Sequence, residues 1–202
     1  VPEQNPWKSW IRCSGFDFFK DGTTAAVCSV TGDVWVVGGI GDSLKELKWR
    51  RFATGLFQPL GLRIVDEKVY VLGRDQITRL HDLNKDGEAD YYENFNNDIS
   101  ITNHYHEFCL NLETDAAGNF YFIKGGNLKM ATVPHHGCLV KVRADGSKLE
   151  VIADGHRAPN GMSVGPNGEI TSADNEGNWV PASRVNLVKR GGFYGHVYTA
   201  HQ

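Results

Sequence analysis

Phe108-Cys109-Leu110-Asn111-Leu112-Glu113-Thr114-Asp115-Ala116-Ala117-Gly118-Asn119-Phe120-Tyr121-Phe122-Ile123 holds two short runs of apolar and aromatic residues around an Asp-Ala-Ala-Gly-Asn turn. Runs of this length, bounded by turn residues, read as strands, and their separation reads as a hairpin. The same signal stands at Phe19-Lys20-Asp21-Gly22-Thr23 and again at Gly165-Pro166-Asn167-Gly168-Glu169-Ile170. Working outward from the three hairpins, strands are expected at 11–19, 24–30, 33–37 and 48–53, then at 62–65, 68–72, 77–81 and 91–95. Further strands are expected at 108–112, 119–123, 138–143 and 150–153, and finally at 161–164, 169–172 and 184–188. No long helical stripe interrupts them.

Ala53-Thr54-Gly55-Leu56 and Ala153-Asp154-Gly155-His156 each close one unit and lead into the next. The repeat length, about 45–55 residues, is that of a propeller blade. A blade buries its faces only against its neighbours, so blades stack about an axis. The fold class expected is all-β, a β-propeller of four-stranded blades, as one incomplete domain over 1–202. Blades fall at about 11–58, 59–103, 104–160 and 161–202. The fourth unit has no clear outermost strand. About four blades of an expected six are therefore present, as a partial ring or a fragment.

The 202 residues include 23 glycines and 11% aromatics, suited to short strands and tight turns. A net charge of −3 gives no pull toward nucleic acid or anionic membrane. No apolar run approaches the roughly 18–20 residues of a membrane-spanning helix. Val1-Pro2-Glu3-Gln4-Asn5-Pro6 is polar and turn-like rather than a signal peptide, as at the start of a processed secreted protein or a trimmed chain. Cys13, Cys28, Cys109 and Cys138 lack metal-type C-x-x-C spacing, and no C-x-x-C-H is present for covalent haem. Cys13 and Cys28 flank the Lys20-Asp21-Gly22 turn at nearly matched distances. A disulfide and a pair of free thiols stand as equal readings.

Four segments carry candidate chemistry. Asp82-Leu83-Asn84-Lys85-Asp86-Gly87-Glu88-Ala89-Asp90-Tyr91-Tyr92-Glu93 puts oxygen side chains at loop positions 1, 3, 5, 9 and 12, with glycine at 6. That spacing wraps oxygens around one Ca²⁺, with Asp82, Asn84, Asp86, Asp90 and Glu93 as side-chain ligands and Glu88 giving its carbonyl. Strands flank the loop, so a calcium loop in a β-hairpin is expected, not an EF-hand pair; a solvated acidic turn is the plain alternative. His104-Tyr105-His106-Glu107 precedes an inner strand. Its histidines read as a general base, as a metal pair, or as hydrogen-bonded structural residues. His135-His136-Gly137 is a similar pair. Gly155-His156-Arg157-Ala158-Pro159-Asn160-Gly161 offers a guanidinium on a constrained loop, and guanidinium suits carboxylates. Asp174-Asn175-Glu176-Gly177-Asn178-Trp179, followed by Gly191-Gly192-Phe193-Tyr194-Gly195, exposes carbonyls able to ligate Ca²⁺.

In this order, over roughly residues 50–198, the motifs resemble the soluble PQQ-dependent glucose and aldose sugar dehydrogenases, and also larger bacterial propeller-dehydrogenase relatives. The family pattern is a histidine before an inner strand, a Gly-x-Arg-x-Pro-x-Gly loop, an acidic or amide residue followed by Gly, then Gly-Gly-x-Tyr-Gly. The resemblance implies that His106 is the general base that takes a sugar hydroxyl proton while hydride passes to the quinone. It implies that Arg157 pairs with a quinone oxygen, with Asn160 and Gln58 as further cofactor contacts. It implies that carbonyls of Gly177 and Asn178 hold the Ca²⁺ that polarises PQQ. The sequence departs from the pattern at Ala158, often asparagine in the family, and at Asn178, where the family has proline. Basic residues that later blades supply to the quinone have no counterpart here.

The activity implied is oxidation of a small-molecule sugar or other alcohol, in the periplasm or outside the cell. Missing blades or a partner chain would complete the ring. The second reading is a non-catalytic Ca²⁺-binding propeller, a binding or assembly module of a secreted or periplasmic complex. The third is a metal-dependent hydrolase or lyase using His104 and His106.

Overall fold

The computed structural model describes residues 2–126, 133–176 and 182–197. Among them are fifteen strands, each within two residues of its expected bounds. The chain divides into two compact units, Val1–Phe95 and Asn96–Gln202.

The first unit holds two antiparallel meanders. One is β1 (Cys13–Phe18), β2 (Ala25–Ser29), β3 (Val34–Gly38) and β4 (Lys48–Ala53); the other is β5 (Gly61–Val65), β6 (Lys68–Leu72), β7 (Ile77–His81) and β8 (Tyr91–Asn96). Local chemistry sets each turn. Asp21 Oδ1 accepts the N–H groups of Thr23 and Thr24, both at 2.8 Å, so the carboxylate closes the β1–β2 hairpin. Asp66 and Glu67 both take left-handed backbone (φ 49° and 60°), the two-residue turn whose twist matches that of paired strands. The sheets pack face to face through Ala26, Cys28, Val34 and Ala53 on one side and Leu62, Val69, Val71 and Leu80 on the other.

The second unit holds β9 (Cys109–Thr114), β10 (Phe120–Lys124), β11 (Leu139–Val142) and β12 (Leu149–Ala153), followed by β13 (Met162–Val164), β14 (Ile170–Asp174) and β15 (Arg184–Val188). The first of these sheets is four-stranded and the second three-stranded, both in sequential order. The β9–β10 turn is built on Asp115. Its Oδ1 accepts from Ala117 N at 3.0 Å and Asn119 N at 2.9 Å, and its Oδ2 accepts from the Tyr121 hydroxyl at 3.0 Å. Tyr121, Ile123, Leu139, Ile152 and Ala153 pack against Met162, Ile170 and Val188. Each sheet is therefore a blade of the propeller type, its central strands buried by a neighbour. No helix of the described residues is long and apolar enough to cross a membrane.

None of the four cysteines is in a disulfide. The disulfide reading fails because the hairpin register, set by Phe18 opposite Ala25, places Gly15 and not Cys13 opposite Cys28, and the bulge between Cys13 and Gly15 does not bring the two cysteines level. Cys13 then lies opposite Ser29, while Cys28 faces Gly15. Cys13 is exposed and Cys28 is buried against the next sheet, where burial pushes its thiol up to about 11.

Candidate functional site

In the second unit, three segments meet where β10 ends. The apolar run Phe120–Ile123 stops at Lys124 and passes into Gly125 and Gly126. Gly125 N–H donates to Phe108 O at 2.9 Å, and Gly126 N–H donates to Arg157 O at 2.8 Å. A Cβ on Gly125 would lie 3.1 Å from His106 O and 3.6 Å from Arg157 O. Glycine thus lets the main chains of His106 and Arg157 close on one point. The fold brings the main-chain carbonyls of these two residues together, while the Arg157 side chain runs to Glu176 and the His106 ring lies beside Tyr105.

Lys124 and Glu107 form an ion pair of 2.5 Å with both side chains fully buried. Lys124 Nζ also donates to Ser100 O. Glu107 Oε2 accepts from Thr102 N at 2.7 Å and from the Thr102 hydroxyl. Burial raises the Glu107 carboxyl, but the Lys124 and Thr102 hydrogen bonds outweigh it and hold the group below its ordinary value. Beyond this pair the segment turns outward. Thr102 Oγ1 accepts His104 N–H at 3.2 Å, and His104 Nδ1 accepts His106 N–H at 3.2 Å. His106 is exposed, its ring centroid 3.9 Å from that of Tyr105 and 5.6 Å from that of His104. His104 spends a ring nitrogen on the main chain. Among the described residues no three His, Cys, Asp or Glu side chains converge to hold a metal ion, so the His104–His106 metal pair finds no third ligand.

The arginine loop is strapped to the end of β14. Asp174, buried, accepts Arg157 N–H and Ala158 N–H, each at 3.0 Å, on its two carboxylate oxygens. Arg184 stands 3.4 Å from the same carboxylate. The Arg157 guanidinium donates to Glu176 O at 2.8 Å and lies 3.4 Å from the Glu176 carboxylate. His156 points inward instead. Its Nε2 pairs with Ser172 Oγ at 3.1 Å, and its ring stacks on Tyr194 with centroids 5.1 Å apart. Burial lowers it to about 4, so it is neutral at pH 7. Asn160 is exposed, held by its N–H to Ala173 O at 3.0 Å. His136 and His196 are also buried, and burial lowers both. His196 Nε2 pairs with Gly126 O at 2.9 Å.

Other expected site residues lie elsewhere. Gln58 is in the first unit, where its Oε1 accepts from Arg74 at 3.2 Å. Gly177 and Asn178 fall outside the described residues. The Asp82–Glu93 loop is also in the first unit. Asp82 Oδ2 accepts Gly87 N–H at 2.9 Å, Asn84 Oδ1 accepts Asp86 N–H at 2.9 Å, and Asp86 Oδ1 accepts Glu88 N–H at 2.8 Å. Asp90 Oδ2 accepts Leu83 N–H at 2.7 Å. Glu93 departs from the expected ligand set. It lies on β8, and its carboxylate takes Arg79 at 2.5 Å and His81 at 2.6 Å. In an EF-hand a helix carries the twelfth position back over the loop; here a strand carries it away.

Sequence reasoning missed Lys124, Thr102 and the anchoring role of Asp174. One signal was available: Lys124 ends a wholly apolar run and precedes two glycines, which is unlike a solvated strand end.

No protein-family model and no curated protein matches the chain. Solved structures do match. A putative oxidoreductase (glucose dehydrogenase) from Thermus thermophilus is 20% identical with a TM-score of 0.68, over 92% of this chain and 65% of that one. The PQQ-bound aldose sugar dehydrogenase of Streptomyces coelicolor is 14% identical with a TM-score of 0.70, over 93% and 63%. The soluble aldose sugar dehydrogenase of Escherichia coli, in its apo form, is 14% identical with a TM-score of 0.67, over 92% and 62%. The chain thus spans a little under two thirds of the length of these structures. Its fold is that of the sugar-dehydrogenase β-propellers.

Proposed function

We propose that the chain belongs to a quinoprotein-type dehydrogenase that oxidises a sugar or other alcohol with PQQ and Ca²⁺. The observation that carries this is the convergence of the His106 and Arg157 main chains on Gly125, within a fold shared with sugar dehydrogenases. The donor set suits an acidic quinone. Arg157 offers a rigid fork for carboxylate or quinone oxygen, its backbone already fixed by Asp174. Its present partner Glu176 is about half exposed and exchanges at little cost. Asn160 stands exposed on the same loop. When bound, PQQ supplies the hydride acceptor. A ring nitrogen of His106 takes the hydroxyl proton of the substrate as its C–H hydride departs, since imidazole accepts protons near neutral pH. Tyr105 and His104 limit where that ring can turn. Gly177 and Asn178 carbonyls complete the reading as Ca²⁺ contacts. Missing blades or a partner chain would close the ring, in a periplasmic or secreted setting.

Arg157→Ala is expected to weaken quinone uptake by about 10–100-fold, the loss of one charge-assisted contact. Titration of the full-length protein with PQQ and Ca²⁺, followed by dye-linked oxidation of sugars, checks this. No uptake and no turnover in the unaltered protein would end the dehydrogenase reading. Uptake without turnover would support the second reading, a non-catalytic binding module, which the existing Arg157–Glu176 pairing favours.

A second Ca²⁺ is assigned to the Asp82–Asp90 loop, with Asp82, Asn84, Asp86, Asp90 and the Glu88 carbonyl as ligands and without Glu93; the three aspartates do not converge in this structure, where they accept main-chain N–H groups, and would turn onto the ion when it binds. Asp82 Oδ1 supports this, being buried with no hydrogen-bond partner among the described residues. Ca²⁺ at a hundredfold excess over its Kd should stabilise the protein by about 2.7 kcal/mol, and Asp86→Ala should abolish that gain. Thermal melts with and without Ca²⁺ test it; identical melts for the unaltered protein would refute this ligand set.

A further inference from the structure

We propose that Lys124 and Glu107 are positioning residues that hold His106 in one orientation through a continuous hydrogen-bond path. The proposal rests on the reading of His106 as the general base. Residues 97–108 form no strand, so pairing does not set their conformation. A charge placed by the sheet does. Lys124 is fixed as the last residue of β10 and fully buried. It holds Ser100 O and the Glu107 carboxylate. Glu107 holds the N–H and hydroxyl of Thr102, Thr102 Oγ1 accepts His104 N–H at 3.2 Å, and His104 Nδ1 accepts His106 N–H at 3.2 Å. Glu107 N–H returns to His104 O at 3.2 Å, which closes the turn. Gly125, next to Lys124, then bounds the His106 carbonyl from beneath.

A buried ion pair is a weak device for stability, because an apolar pair of the same volume often serves as well or better. It does select one conformation, since each charge must find its partner. Here the loop end that the pair selects is the one bearing His106.

The test is the full-length Lys124→Met/Glu107→Gln protein, which leaves no buried charge unpaired and keeps an acceptor for Thr102. It should fold. Amide exchange at Thr102, His104 and His106 should quicken at least about tenfold, and the His106 ring signals in NMR, expected as a single set in the unaltered protein, should broaden or double. With PQQ and Ca²⁺, kcat should fall by about 10²-fold while KM and quinone affinity hold, as for a misplaced base. Unchanged exchange and ring signals would overturn the strap. Quickened exchange with unchanged kcat would overturn the positioning role. If the unaltered protein shows no turnover, the dehydrogenase reading fails by itself, and exchange and ring signals still decide the strap. Should the double variant not fold, Thr102→Val, which keeps the ion pair whole and breaks the path between Glu107 and His104, is read by the same measurements and is expected to move them in the same direction.

Discussion

Lys124→Met alone is expected to destabilise the protein by about 3–5 kcal/mol, because it leaves Glu107 charged and unpaired in a dry interior. Both side chains are fully buried, so solvent cannot take over the partner's role. The loss should depend on pH. In the unaltered protein Glu107 is held below its ordinary value, so its contribution is present above the unfolded carboxyl pKa and fades as pH falls. Without Lys124 burial prevails and raises the carboxyl, so protonation relieves the variant as pH falls. The stability gap should therefore be wide at pH 8 and narrower at pH 5. Denaturant unfolding at both values measures it, and a gap under about 1 kcal/mol at pH 8 would contradict the buried pair.

Acidification of the unaltered protein is the second large effect. His156 is lowered by burial to about 4, whereas an unfolded histidine titrates near 6.5. Between those values the unfolded chain binds more protons, so stability falls as pH drops from 6.5 to 4. The loss from His156 alone is about 3 kcal/mol at the lower end. His135, His136 and His196 are lowered in the same direction and add to it. His156→Gln, whose amide still reaches Ser172, should flatten the dependence in this window. Unfolding curves at pH 7 and 4.5 provide the check; equal stabilities would mean that His156 is not buried as described.

How far the site was legible depended on the range of the interaction. The Asp115 turn is readable because the carboxylate and the N–H groups it caps lie within four residues. The arginine loop is likewise readable as a loop, but its anchor, Asp174, is on a later strand. Glu93 misled because ligand spacing was taken from a helix-flanked loop, while β8 carries this carboxylate to Arg79 and His81. Disulfide and free thiols stood as equal readings for Cys13 and Cys28 because rough symmetry about a turn does not fix which residues face each other; the pairing of Phe18 with Ala25 does, and it sets Cys28 opposite Gly15.

The strands, their order and the blade repeat are legible along the chain. Those follow from side-chain alternation and from turns capped by near neighbours, which act over a few residues. That the main chains of His106 and Arg157 meet at Gly125, and that Lys124 lies buried against Glu107, comes from the folded arrangement alone. Desolvation and ion pairing depend on distances through space. These are set when β9 pairs with β10 and the next sheet packs against them, and no spacing along the chain encodes them.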